Sequence, residues 1–267
     1  MFYKLLKQPF FGNYMVKWRN PLSESEKFQW TKVNIKSKSG GQIAGLFAKS
    51  FLEIPKATIV LGHPMGKEAK GYFIKYGYTD LLRNNGYNVL VFDINGFGES
   101  TNGNFSYFED IIAIGIEAKK QTPNLPIGYF GISLGAQMAT IAFTDENHPY
   151  QFAIIESAAT TLNEFWKIFP TAYKTLKVLN FILPKYTQKI NMIERIKEAK
   201  NLKSILFIYS EKDTWTPLAM GKRYTENCAV PSELFILKNA DHAAVTKSID
   251  KEIYFEKIIS YINSQVA

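Results

Sequence analysis

The stretch "IGYFGISLGAQMATIAF", residues 127–143, runs from an apolar segment through a serine flanked by glycines into small and apolar residues. Its spacing Gly131-Ile132-Ser133-Leu134-Gly135 is the GxSxG pattern of a strand that ends in a sharp turn, exposes a serine there and passes at once into a helix. Five letters also arise by chance, so the reading depends on what surrounds them.

On both sides of this stretch, short apolar runs bounded by turn residues alternate with longer amphipathic stretches, as in a mostly parallel sheet flanked by helices. Residues 28–37 and 41–50, joined through "KSGG", read as an opening antiparallel hairpin. Six runs rich in Val, Ile, Leu and Phe follow, at 57–63, 87–93, 125–131, 152–158, 204–210 and 233–239. Such runs suit strands buried on both faces. Helices are expected over 70–85, 106–121, 133–144, 215–227 and 247–264. Right-handed crossovers between these strands give a doubly wound α/β architecture.

One interval exceeds a single connection. Residues 159–203 carry Phe165, Trp166, Phe169, Tyr173, Leu176, Phe181 and Tyr186 without an evident strand, and read as a small helical cap inserted into the domain. No linker-like composition divides the chain, so residues 1–267 are expected to form one domain with an N-terminal arm over 1–27.

Composition narrows the function. The chain of 267 residues is 46% apolar, enough for a substantial core. Its single cysteine, Cys228, excludes an internal disulfide and suits a reducing, cytoplasmic compartment. The first twenty residues mix aromatics with Lys and Arg and lack the apolar core of a signal peptide. They are expected to pack on the domain, weak interfacial contact with a membrane being the other reading. The apolar "LKVLNFILP" at 176–184 is too short to span a bilayer. A net charge of +8 spread over dispersed lysines reads as a solvated basic surface, not a nucleic-acid-binding face.

Two glycine-rich stretches fail as nucleotide sites. "GHPMGK" lacks the spacing and hydroxyl of a P-loop, and "GFGEST" has Thr101 where a dinucleotide fingerprint needs its last glycine. The histidines, His63, His148 and His242, are isolated from one another, so no metal site is expected.

A serine hydroxyl becomes a useful nucleophile when a histidine, held in one tautomer by a carboxylate, takes its proton. Only His242, in "LKNADHAAV", follows the last expected strand, on a loop able to return to Ser133. The carboxylate candidate is Asp213, just after the strand "SILFIYS". Loops at the carboxyl ends of strands converge in open α/β sheets, which brings the three residues to one edge.

The order Ser133, Asp213, His242, with "YFGISLGA", "FDINGFGES" and "EKDTWTP", resembles the α/β-hydrolase superfamily of serine hydrolases over about residues 28–264. The resemblance implies an α/β-hydrolase fold, a mainly parallel eight-stranded sheet flanked by helices with a small helical cap insertion acting as a lid. It also implies an acyl-enzyme mechanism without a cofactor, with Ser133 as nucleophile, His242 as base and Asp213 as the orienting acid. Glu211 is the fallback acid; Asp213 fits the Asp-x-x-x-Pro spacing to Pro217, and Asp241 reads as a loop residue bonded locally.

The oxyanion of such a reaction needs two fixed N–H donors. By the resemblance one is the amide of Leu134. The other comes from the loop after "ATIVLGH", which reads "HPMGK" where these enzymes commonly carry His-Gly. Pro64 has no N–H, which moves that role to Met65 and leaves His63 to shape the loop. The expected substrate is a small-molecule ester, thioester or other acyl compound. A serine peptidase of prolyl-oligopeptidase-like type, an acyltransferase, and a non-catalytic ligand-binding protein on the same fold remain alternatives.

Overall fold

The computed structural model describes residues 2–184 and 190–266. Its frame is an eight-stranded sheet: β1 (Trp30–Lys36), β2 (Gln42–Ala48), β3 (Ala57–Gly62), β4 (Tyr87–Phe92), β5 (Ile127–Ile132), β6 (Phe152–Glu156), β7 (Ser204–Ser210) and β8 (Ser232–Leu237). The spatial order is β1-β2-β4-β3-β5-β6-β7-β8. β2 pairs antiparallel with β1 and β4, and every pairing from β4 through to β8 is parallel. The expected strands are all present, each within two residues of its expected start.

The helices, in chain order, are α1 (Phe2–Phe11), α2 (Glu24–Lys27), α3 (Gly71–Lys75), α4 (Tyr78–Asn84), α5 (Tyr107–Gln121), α6 (Leu134–Ala142), α7 (Leu162–Trp166), α8 (Pro170–Ile182), α9 (Met192–Arg195), α10 (Leu218–Asn227) and α11 (Lys251–Val266). Every position of β3, β4, β5 and β6 is buried. Their side chains alternate between two cores, as the two-residue strand period requires. Val60, Leu90 and Ile155 pack on the α5 and α6 side, whereas Ile59, Val89 and Phe130 pack with Tyr78 and Tyr254 on the other.

The helix boundaries depart from sequence periodicity for local reasons. The helix expected over 70–85 divides at Gly77, whose φ of +80° is a left-handed conformation that favours glycine. The helix expected from 215 begins at Leu218, because Trp215 and Thr216 donate their amides to the Asp213 carboxylate at 2.8 and 3.0 Å. The last helix starts at Lys251, after a short 3₁₀ turn over Val245–Lys247.

The first part of the arm is the helix α1, which packs on the rest of the chain. Lys7, Phe10 and Phe11 of α1 are buried, and Phe10 and Phe11 meet Trp166 edge-on with ring centroids 5.1 and 5.4 Å apart. The Lys7 ammonium bonds the Asn95 side chain and lies 4.5 Å from the centre of the Tyr107 ring. Burial draws its pKa down to about 7, against the pull of the nearby Asp110 carboxylate. Between β6 and β7 the described residues form α7, α8 and α9. Tyr186, one of the expected cap aromatics, lies outside the described residues. Among the described residues, no helix is long and apolar enough to cross a membrane.

Candidate active site

Ser133 stands between β5 and α6 at φ +50°, ψ −108°, a conformation that costs a side-chain-bearing residue about 1–3 kcal/mol. Backbone bonds impose it from three directions. The Ser133 N–H donates to Glu156 O at 2.9 Å, Gln137 N–H donates to Ser133 O at 2.8 Å, and Gly135 N–H donates to His63 O at 3.1 Å. A Cβ on Gly135 would lie 2.1 Å from the Gly62 carbonyl oxygen, so the elbow closes onto β3 only with glycine there. Gly135→Ala is expected to cost about 1–3 kcal/mol and lower Tm by roughly 2–12 °C. Thermal unfolding checks it, and an unchanged Tm would mean the elbow yields freely.

The strand ends bring the three expected residues together. Ser133 Oγ and His242 Nε2 are 2.8 Å apart, and His242 Nδ1 lies 2.8 Å from Asp213 Oδ2. Oδ2 also accepts the Thr216 hydroxyl at 2.7 Å, while Oδ1 takes the two amides of its own turn. Burial pushes the Asp213 carboxyl upward, but the hydrogen bond and charge of His242 and the bonds from Thr216 outweigh it and hold the group below its ordinary value. The imidazole stacks on Trp215 at 5.0 Å and 26°, which fixes its plane. Ser133 and Asp213 are each 2% exposed.

The other candidates sort by contact. Glu211 is exposed and makes no bond to His242. Asp241 accepts the Ala244 amide through its backbone carbonyl, yet its carboxylate pairs with Lys212 at 3.2 Å, on the loop after β7. His63 donates from Nδ1 to Pro64 O at 2.8 Å and accepts the Ile94 amide at Nε2 at 3.1 Å. Burial lowers its pKa, so it sits as a neutral strut of the loop. His148 likewise commits both ring nitrogens to backbone groups. Among the described residues no three His, Cys, Asp or Glu side chains form a metal-binding group.

Ser133 opens into a cavity of about 360 Å³ whose lining is almost wholly apolar. Met65 and Leu134 line the same cavity as Ser133, and neither backbone amide bonds another described residue. Phe10 of the arm, Phe165, Trp166 and Leu176 also line the cavity. The sequence reading missed the contribution of the arm, and it missed Gln137. That residue is 3% exposed, lines the cavity, and its Nε2 has no partner among the described residues. Its position four residues after Ser133 on α6 was the available signal, since i and i+4 share a helix face.

Comparison with known proteins gives the family and the fold. The model of a family described as serine aminopeptidase, S33, matches residues 53–211, more than half of the chain. The esterase Pf2001 of Pyrococcus furiosus superposes with a TM-score of 0.72 at 17% identity, covering 95% of this chain and 98% of that one. An acylaminoacyl peptidase of Pyrococcus horikoshii superposes at 0.65 and 15% identity over 89% of this chain and 42% of its own. The uncharacterized protein YqkD of Bacillus subtilis (strain 168) is 23% identical, over 73% of this chain and 75% of that protein.

Proposed function

Since this chain belongs to the serine aminopeptidase S33 family and has the α/β-hydrolase fold, we propose that it is a serine hydrolase that cleaves esters or thioesters of apolar acyl groups. The observation that carries the reading is the unbroken row Ser133–His242–Asp213, 2.8 Å at each link, opening on an apolar cavity. His242 takes the Ser133 proton as Oγ attacks the acyl carbonyl, and Asp213 steadies the imidazolium that forms. The Met65 and Leu134 amides bind the developing oxyanion. The tetrahedral species collapses as His242 passes its proton to the departing alkoxide or thiolate. Water, activated by the same histidine, then releases the acid and restores Ser133.

The cavity favours this reading over an aminopeptidase one. A free α-amino group is a cation and needs a carboxylate to replace its hydration. No described lining residue is charged. Gln137 Nε2 offers an uncharged hydrogen-bond donor in that wall, and α7 to α9 serve as the lid. A peptidase of prolyl-oligopeptidase-like type is the competing assignment, and a ligand-binding role without catalysis is the third.

A fluorophosphonate probe, with the adduct located by mass spectrometry, tests the nucleophile, and p-nitrophenyl esters of graded chain length run beside aminoacyl anilides test the substrate class. Labelling confined to Ser133 with ester turnover supports the proposal. Anilide turnover without ester turnover would give the peptidase assignment, and a folded protein that takes no label would give the ligand-binding one.

A further inference from the structure

Beside the triad lies a carboxyl group that the acyl-transfer steps leave unused. Glu156, the last residue of β6, is 1% exposed; its Oε1 has no partner among the described residues, and its Oε2 bonds the Tyr254 hydroxyl on α11. Tyr254 O–H lies 3.2 Å from the Tyr78 hydroxyl on α4, which interacts in turn with that of Tyr72 on α3. Tyr72 donates to the Ala243 carbonyl at 2.8 Å. Both ends of the row touch the site. The Glu156 carbonyl holds the Ser133 amide at 2.9 Å, and Ala243, at φ +49°, directly follows His242.

Counting protons gives the row a direction. The Tyr72 proton is committed to Ala243 O and Tyr254 donates to the Tyr78 oxygen, so the row runs from Tyr254 through Tyr78 toward Tyr72. The Tyr254 oxygen can then be supplied only by a protonated Glu156. An ionised carboxylate would claim the Tyr254 proton instead, and whichever way Tyr78 turned, one link would lose its hydrogen. We propose that Glu156 is a positioning residue for the acyl-transfer reaction: as the neutral acid it heads a row of buried hydroxyls that ties the Ser133 elbow to the His242 loop. This rests on the serine-hydrolase reading above.

Burial pushes the Glu156 carboxyl up to about 8, and the Asp213 carboxylate pushes the same way. The titratable groups facing it are Tyr254, Tyr78, Tyr72 and Asp213. An unfolded chain ionises this group near its ordinary 4.5, whereas the folded one keeps its proton until about 8. Stability from this group is therefore greatest below pH 4.5, falls as pH rises to about 8, and stays low above it.

The experiment compares wild type, Glu156→Gln and Tyr72→Phe in kcat and KM for one p-nitrophenyl ester from pH 5.5 to 9, in fluorophosphonate labelling at pH 7, and in Tm at pH 5 and 9. Wild type is expected to lose kcat as pH passes about 8, and Glu156→Gln, which keeps a neutral donor, to lack that fall while staying near the wild-type rate at pH 7. Its Tm relative to wild type should rise from pH 5 to pH 9. Tyr72→Phe frees the Ala243 carbonyl and should cut kcat about 10-fold at unchanged KM. An identical alkaline fall in wild type and Glu156→Gln, with the same Tm difference at both pH values, would overturn the proposal. Absence of labelling in wild type would instead sink the hydrolase reading, and the Tm comparison would still decide whether Glu156 is held neutral.

Discussion

Ser133→Ala is expected to lower kcat for a p-nitrophenyl ester by about 10⁶-fold with little change in Tm. The side chain has one polar contact, Oγ to His242 Nε2 at 2.8 Å, so its removal deletes the bond-forming atom and leaves the backbone bonds of the elbow in place. Alanine carries the same Cβ and meets the same penalty at φ +50°, which keeps the folding cost nearly constant. Residual turnover would come from the oxyanion amides and cavity binding alone. Steady-state kinetics on protein free of wild-type contamination checks it. Activity retained in this variant would remove Ser133 from the chemistry altogether.

Asp213→Asn should cost about 10⁴-fold in kcat, and the geometry supplies the reason. Oδ1 of Asp213 receives two backbone amides that cannot turn, those of Trp215 and Thr216. The carboxamide oxygen of an asparagine must occupy that place, so its NH₂ falls where Oδ2 meets His242 Nδ1. A donor there requires a bare Nδ1 and puts the imidazole proton on Nε2, facing Ser133, where it cannot accept one. The hydroxyl of Thr216, 3.2 Å from the same nitrogen, is a second hydrogen-bond partner of that nitrogen but carries no charge to stabilise an imidazolium. In wild type, the depressed pKa of Asp213 means that its stabilising contribution is complete above pH 3.8 and disappears only as pH falls through the lower folded value. The variant should therefore differ from wild type across the whole neutral range. A loss of less than tenfold would show that orientation of His242 rests mainly on Trp215 stacking.

Those residues whose demands are local were legible in the chain. Ser133 announces itself because a strand-to-helix turn needs small neighbours on either side, and Asp213 because its turn has a recognisable spacing to Pro217. What escaped depends on partners remote in sequence. Lys7 and Pro9 break the helical pattern of α1, and the burial of Lys7 makes sense only with Asn95, 88 residues away. The hydroxyl row from Glu156 to Ala243 joins β6, α11, α4, α3 and the His242 loop, and no single segment of it carries a pattern. The interval after β6 showed its aromatic content but not the separate helices α7, α8 and α9 that its described residues form, because α7 and α9 are too short for periodicity to register.

One part of the cavity wall is assembled from two segments that meet through aromatic edges, Phe10 and Phe11 of the arm against Trp166. Neither segment contains a triad residue, and neither is part of the sheet that aligns the strand ends. Reach and reactivity are thus written in different parts of the chain. Trimming Phe10 or Leu176 would lengthen the acceptable acyl group, and bulkier residues there would shorten it, without disturbing the atoms that break the bond. Selection acting on such a molecule could retune what it accepts by altering its first helix alone, with the reactive machinery carried along unchanged.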